Sequence, residues 1–335
     1  MTDDKRSIAT WVRSDDTRPH CTRPWNMITV LSDGSVVCAP IDAGKTNPLG
    51  SFRTQTLAEI WDGAPYRKLR QDIHEDIDRT PICRGCPNRI VGRPPGELTG
   101  IARPRVLHLE SQAGCNLVCP GCDRDAIEGT RDGLTMDWEL YTRVIDQLAP
   151  ELRFLEFHVG GENWMHRRAC DMVRYCKEKN PGCVVLSSTN GHFFHTDERA
   201  RDAVSTGVDC FIISADGATQ ASYEKYRVRG SLERVFDGMR RLLRARRELG
   251  RERPILVWRY ILFPWSDSEE EMALARRLAR EIGVDHLCWH LNGAQQEFSS
   301  SRYYVGSPHL GEIESELWDT LPARLGYSAL DFERF

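Results

Sequence analysis

From residue 105 onward the sequence keeps one rhythm, and that rhythm limits the fold more than any other feature. Short apolar segments, mostly ending in Gly, Ser, Asn or Asp, read as strands: RVLHLES, LRFLEFHVGGE, VVLSSTNG, DCFIISADGA, PILVWRYILF and DHLCWHLNG. Between them lie longer segments of helical period, among them RRACDMVRYCKEK, ERARDAVSTG, SLERVFDGMRRLLRARRE and EEEMALARRLAREIG. Strand-length apolar runs alternating with amphipathic helices specify parallel βαβ units. The expected fold class is α/β, with six strands in an open or barrel-like sheet and ligands at the carboxyl ends of the strands.

The strands carry a second signal. His108 and Glu110 share a face opposite Leu107 and Leu109, and Glu156 and His158 share one opposite Leu155 and Phe157. Ser214 and Asp216 oppose Phe211 and Ile213, while Cys288, His290 and Asn292 oppose Leu287, Trp289 and Leu291. A parallel strand covered by helices is ordinarily apolar on both faces, so a polar stripe towards the carboxyl end predicts a solvated, ligand-lined interior.

Twelve cysteines are present. The N-terminal stretch has no apolar signal region and nothing approaches a membrane span, so the expectation is a soluble cytoplasmic protein whose thiols are kept free for metal or redox chemistry. A net charge of −4 without any basic block disfavours nucleic acid and anionic membranes as partners. The length and a hydrophobic content of 40% allow two globular units. The cysteines fall into two clusters and a remainder. Cys21, Cys38, Cys83 and Cys86 precede residue 100; Cys115, Cys119 and Cys122 form a tight triplet after the first strand; Cys170, Cys176, Cys183, Cys210 and Cys288 are scattered. Three thiolates cannot close a four-coordinate site by themselves.

The triplet, the Gly160-Gly161-Glu162 run after the second strand, the Thr189-Asn190-Gly191 run after the third and the ISADGATQASYEKYRVRGS segment after the fourth together resemble the radical S-adenosylmethionine (SAM) superfamily. The resemblance implies a partial (β/α)6 barrel over residues 101–295. It also implies a [4Fe-4S] cluster on Cys115, Cys119 and Cys122, with SAM completing the fourth iron. By the same resemblance Gly160 and Gly161 let backbone approach the methionine amine, Glu162 is its anionic partner, Asn190 and Ser214 lie near the ribose, and Arg227 faces the SAM carboxylate. The residue before the third cysteine, often aromatic in the superfamily, is Gly121 here, which leaves adenine stacking unassigned.

Residues 1–100 resemble a SPASM or twitch module, a small α+β auxiliary-cluster domain that usually follows the core and here precedes it. The Asp33-Gly34 pair reads as a hairpin turn, LGSFRTQTLAEIWDGAPYRKLR as a loop and an amphipathic helix, and Cys83-x2-Cys86 closes the segment. The resemblance implies a second [4Fe-4S] cluster on Cys21, Cys38, Cys83 and Cys86; a structural tetrahedral zinc on the same thiolates is the alternative. Residues 296–335 form a C-terminal extension.

The implied chemistry is hydrogen abstraction by a 5′-deoxyadenosyl radical from a small polar substrate, with an external reductant such as flavodoxin or ferredoxin. Oxidation of an alcohol to a ketone needs a base, for which Glu110, His158 and His290 are the candidates. Elimination of water from a diol, or epimerisation with Cys288 as hydrogen donor, uses the same parts. Relatives of this kind act on sugars and aminocyclitols in antibiotic biosynthesis. A peptide-modifying enzyme is less expected, since no segment is left for leader recognition. From a different class, the same cysteines would suit a non-catalytic zinc or iron–sulfur scaffold or sensor.

Overall fold

The computed structural model describes residues 19–91, 103–122, 124–292 and 296–321, so the outermost parts of the expected N-terminal unit and C-terminal extension lie outside the described residues. Near the N-terminus, β1 (Pro19–His20) precedes β2 (Met27–Val30), and the Asp33-Gly34 turn leads into β3 (Ser35–Val37). Gly34 takes φ +88°, and Asp33 Oδ1 accepts from Ser35 N at 2.9 Å, so the hairpin forms where the sequence places it. β4 (Gly50–Ser51) closes this small sheet. The expected single helix is two, α1 (Leu57–Trp61) and α2 (Ala64–Asp76), before β5 (Ile90–Val91). The break has a local cause: Gly63 lies so close to the Glu59 carbonyl that a Cβ would approach it to 2.4 Å, and Pro65 starts the second helix.

The second half follows the predicted alternation. Its elements are β6 (Val106–Leu109), α3 (Arg124–Glu128), α4 (Trp138–Leu148), β7 (Phe154–Glu156), α5 (Ala169–Lys179), β8 (Val184–Thr189), α6 (Asp197–Ser205), β9 (Cys210–Ser214), α7 (Gln220–Tyr223), α8 (Leu232–Glu248), β10 (Ile255–Leu262), α9 (Glu269–Ile282) and β11 (His286–Leu291). The helices start where hydroxyl or carboxylate caps allow: Asp137, Thr196, Ser231 and Ser268 each accept from the backbone N–H three residues on. Each such cap contributes about 1 kcal/mol.

Among the described residues the main sheet has nine strands in the order β11-β10-β9-β8-β7-β6-β2-β3-β4. β6 to β11 are parallel throughout. The order does not close on itself, in keeping with a partial barrel. β2 pairs in parallel with β6, Met27 opposite Val106 and Val30 opposite Leu109, so the N-terminal hairpin extends the barrel sheet instead of standing apart. One apolar core follows from this, running from Met27 and Trp61 through Leu107 and Leu155 to Trp258 and Trp289. The two expected units therefore share a sheet and a core.

The strand faces divide as their alternation predicts. One face joins the helices in that core, while Leu186, Cys210, Ile212, Val257 and Cys288 on the other face make a separate apolar cluster with Leu321. Leu317 bridges to Trp289 beside β11, and Trp318 packs against the same inner cluster. The C-terminal segment thus supplies part of the barrel filling. No helix among the described residues is long and apolar enough to cross a membrane.

Candidate active site

Beyond the carboxyl end of β6 the chain turns polar at Glu110 and then runs through the cysteine triplet. Cys115 and Cys119 are half-buried and Cys122 is exposed, so the triplet opens outward. Burial pushes the Cys115 thiol up to about 11, with Glu162, Cys119 and Cys122 adding to the effect. Thiolates there need a compensating cation. Leu117 N donates to Cys115 Sγ at 3.4 Å, Asn190 Nδ2 lies 3.8 Å from the same sulfur, and Arg227 Nη1 lies 3.9 Å from Cys119 Sγ.

The Gly160-Gly161-Glu162 run packs directly beneath this loop. Gly161 has φ +62°, and a Cβ on it would meet Gln112 O at 2.3 Å and Ala113 O at 2.4 Å, so a side chain here would push the cysteine loop away. Glu162 N donates to Gly114 O at 2.9 Å. The Glu162 side chain is buried and already engaged: Oε1 accepts from Thr189 Oγ1 at 2.8 Å and Trp164 N at 3.2 Å, and Oε2 from Asn190 N at 2.8 Å. It ties the ends of β7 and β8 to the triplet loop. Burial raises its carboxyl pKa despite those donors.

Asn190 and Ser214, expected near a ribose, lie at the ends of adjacent strands. Asn190 Nδ2 donates to Asn116 Oδ1 at 2.8 Å, and Ser214 Oγ accepts from Arg259 Nη2 at 2.8 Å. Arg227 is anchored by Asp216: its Nε lies 2.5 Å from Oδ2, while Asp216 Oδ1 accepts from Ile261 N at 2.8 Å. That fixes a cation beside Cys119.

Two candidates are corrected by what surrounds them. Glu110 is fully buried and meets four donors among the described residues: Arg131 Nε at 2.7 Å and Ser32 N at 3.2 Å on Oε1, Arg131 Nη2 at 3.0 Å and Gly160 N at 3.2 Å on Oε2. A carboxylate bonded in that way has no lone pair free for a substrate proton, so it is an anchor and not a base. Cys288 is 0% exposed and sits in the apolar cluster with Leu186, Cys210, Ile212 and Val257. Among the described residues no opening reaches it, which argues against it as a hydrogen donor.

The histidines keep their places. His108 Nδ1 lies 2.9 Å from Glu156 Oε2, and His158 Nε2 lies 3.8 Å from the same oxygen. The His158 side chain is 32% exposed and its Nδ1 has no partner among the described residues. Burial, with His108 and Arg259, holds its pKa down at about 3. His290 is held at about 4 by burial and Arg259, and its Nδ1 is likewise unpartnered among the described residues. Both imidazoles are neutral near pH 7 and can accept a proton. The sequence reading missed Arg259 and Trp318, whose ring lies 5.8 Å from the Arg259 guanidinium and 6.0 Å from His290.

The N-terminal cysteines also converge, at the other end of the sheet. Cys38 leaves β3 at the amino-terminal end of β2 and β6, and the short β1–β5 pairing draws the flanks of Cys21 and Cys86 together. Cys21, Cys38, Cys83 and Cys86 line one small pocket with Leu69 and Ile73. Burial pushes the Cys83 thiol to about 12 and raises those of Cys21 and Cys38. Among the described residues no three His, Cys, Asp or Glu side chains are arranged to hold a single metal ion. Four thiolates around one pocket are the donor set of an iron–sulfur cluster and equally of a tetrahedral zinc.

Comparison with known proteins agrees with both centres. The model of the radical SAM superfamily matches residues 109–290, and that of the SPASM iron–sulfur cluster-binding domain matches residues 21–87. The chain is 27% identical over 242 residues to a tungsten-containing aldehyde ferredoxin oxidoreductase cofactor-modifying protein of Pyrococcus furiosus, covering 69% of this chain and 65% of that protein. It is 29% identical over 144 residues to an AdoMet-dependent heme synthase of Methanosarcina barkeri, covering 42% and 40%. The chain thus spans less than two thirds of the length of the curated relatives it matches. Among solved structures, Streptococcus suis SuiB aligns with a TM-score of 0.49 at 11% identity, over 67% of this chain and 48% of that one. The match over the barrel, with the three cysteines and the glycine-rich turn in place, identifies the chain as a member of the radical SAM superfamily that carries an N-terminal SPASM domain, and the family implies SAM and iron–sulfur clusters as its cofactors.

Proposed function

We propose that this enzyme oxidises a carbon of a small polar substrate held inside the barrel, converting an alcohol to a ketone. The observation that carries the reading is the arrangement of the two cysteine sets at opposite ends of the parallel strands β2 and β6, with polar side chains on the inner face towards the carboxyl end. Cys115, Cys119 and Cys122 would hold one cluster and SAM, and the four N-terminal cysteines the other. When bound, these groups supply hydrogen-atom abstraction and an acceptor for the electron that the substrate gives up.

The chain's own residues do the rest. Gly161 and Glu162 hold the triplet loop in place, and Arg227 sets a positive charge beside it. His158, whose side chain is 32% exposed, takes the hydroxyl proton, and the carboxylate of Glu156 near its Nε2 offsets the charge that develops on the ring. With its pKa held at about 3, the base form is essentially complete from about pH 5 upward. Product formation therefore shows no loss from His158 protonation between about pH 5 and 8, the range in which an unperturbed histidine would titrate.

His158→Gln in the anaerobically reconstituted enzyme tests this. It should leave cleavage of SAM to 5′-deoxyadenosine intact and lower ketone formation by about a hundredfold or more. Equal loss of both would show that His158 serves SAM, and no loss of either would remove it as the base. A second reading, in which the substrate is a cofactor or a cofactor precursor, draws on the two curated relatives, one a cofactor-modifying protein and the other a heme synthase by name.

A further inference from the structure

Among the described residues most of the charges facing the barrel interior have a partner. Asp216 belongs to Arg227, Glu110 to Arg131, and Glu156 lies against His108. Arg259, on β10, points inward from a strand whose inner neighbours Val257 and Ile261 are apolar. Its Nη2 donates to Ser214 Oγ at 2.8 Å, its guanidinium faces the Trp318 ring at 5.8 Å, and its buried Nε has no partner among the described residues. No carboxylate pairs with it among those residues. It faces Arg227, of the same sign, and the neutral His158 and His290; the nearby carboxylate, Asp216, is already held by Arg227 at 2.5 Å and offsets the Arg259 charge only in part.

An unpaired guanidinium in such a place is costly to the fold, and both burial and the Arg227 charge work against its ionised form. Its planar fork suits a carboxylate or phosphate, which would supply the missing charge and the missing acceptors together. From this we infer that Arg259 is a substrate-binding residue and that the substrate carries an anionic group, carboxylate or phosphate, seated between Arg259, Trp318 and His290. The inference rests on the reading of the barrel interior as the substrate site, and it narrows the substrate class. An amine-bearing aminocyclitol would put a cation against Arg259, so hydroxylated acids and sugar phosphates fit better than amino sugars.

The test uses SAM-loaded, anaerobically reconstituted holoenzyme and four probes: acetate, inorganic phosphate, gluconate and glucitol. Ligand binding to the native state raises the melting temperature by mass action. The three anions should raise it saturably and glucitol should not; a stronger effect of phosphate than of acetate would assign the site to a phosphate, and the reverse to a carboxylate. Arg259→Gln should weaken the anion response at least tenfold, and Arg259→Lys should retain most of it. Without anion, Arg259→Gln should melt at or above the wild-type temperature, because it removes an uncompensated charge.

Three outcomes overturn the inference: no saturable anion effect on the wild type, an equal response to glucitol, or an anion response unchanged in Arg259→Gln. A loss of SAM affinity in Arg259→Gln equal to its loss of anion response would assign the residue to SAM instead. None of these depends on whether the product is a ketone. Failure here therefore leaves the oxidation reading standing, and failure of that reading leaves the anion site standing.

Discussion

Glu110 and His158 leave neighbouring strands on the same polar face, yet only the histidine keeps a lone pair for a substrate. The difference lies in a residue twenty-one positions further on. Arg131 closes a bidentate pair on Glu110 with both side chains fully buried. Arg131→Met should leave a buried carboxylate without its partner and lower stability by about 3–5 kcal/mol, read as a shifted denaturation midpoint at unchanged slope. Glu110→Gln, in the fraction that folds, should still form product. Normal folding with loss of product in Glu110→Gln would restore Glu110 as the base.

Residue alternation shows which face a side chain takes, and it placed His108, Glu156, His158 and His290 inside. It cannot show what a distant loop brings to meet that side chain, which is why Glu110 and Cys288 read as reactive groups. Arg259 was hidden for the converse reason. Its strand, PILVWRYILF, reads as an apolar run, and the inner neighbours Val257 and Ile261 give no polar stripe to mark it. The glycine turn was legible because its geometry is local: Gly161 must bring its backbone against Gln112 and Ala113.

At the scale of elements, all six core strands and four of their helices were legible, since each carries its period within its own sequence. α4, from Trp138 to Leu148, was not marked out, and the partner of β2 could not be read because strand pairing joins residues nearly eighty positions apart. The C-terminal segment was the least legible. It has no strand or long helix among the described residues, and its contribution is to insert Trp318 and Leu321 against the inner face of the sheet. Leu321 is 0% exposed in a cluster with Leu186, Cys210, Ile212, Val257 and Cys288. Leu321→Ala should leave a cavity there and cost about 2–4 kcal/mol. SAM cleavage by the folded enzyme should be unchanged, because the triplet lies at the opposite end of the strands. A parallel loss of SAM cleavage, measured well below the melting temperature, would mean that the segment shapes the carboxyl-end site.

At the scale of the whole molecule, the parallel pairing of β2 with β6 decides how the two cysteine sets relate. The triplet follows the carboxyl end of β6, and Cys38 leaves β3 at the amino end of β2. The four-residue strand pair between them is about 13 Å tall, with the loops adding to that separation. The inner side chains of the barrel occupy the same height, so a substrate seated there lies between the two sites. If the four N-terminal thiols hold the group that accepts the substrate's electron, Cys83→Ala combined with Cys86→Ala should separate the half-reactions. SAM cleavage on the triplet should continue, while the product two hydrogen atoms lighter than substrate should disappear. Iron content should fall to the share held by the triplet. Cys115→Ala with Cys119→Ala and Cys122→Ala should do the reverse, abolishing SAM cleavage and keeping the N-terminal cluster spectrum. The melting temperature of the Cys83, Cys86 variant must be followed alongside, because β2 and β3 share the barrel core and a collapse of the N-terminal module would disturb β6. A folded variant that still forms the oxidised product would overturn the electron-acceptor role. A product that keeps its oxidation level in the wild type, lighter by one water or carrying one deuterium from heavy water, would replace oxidation by elimination or epimerisation and leave the radical chemistry of the triplet untouched.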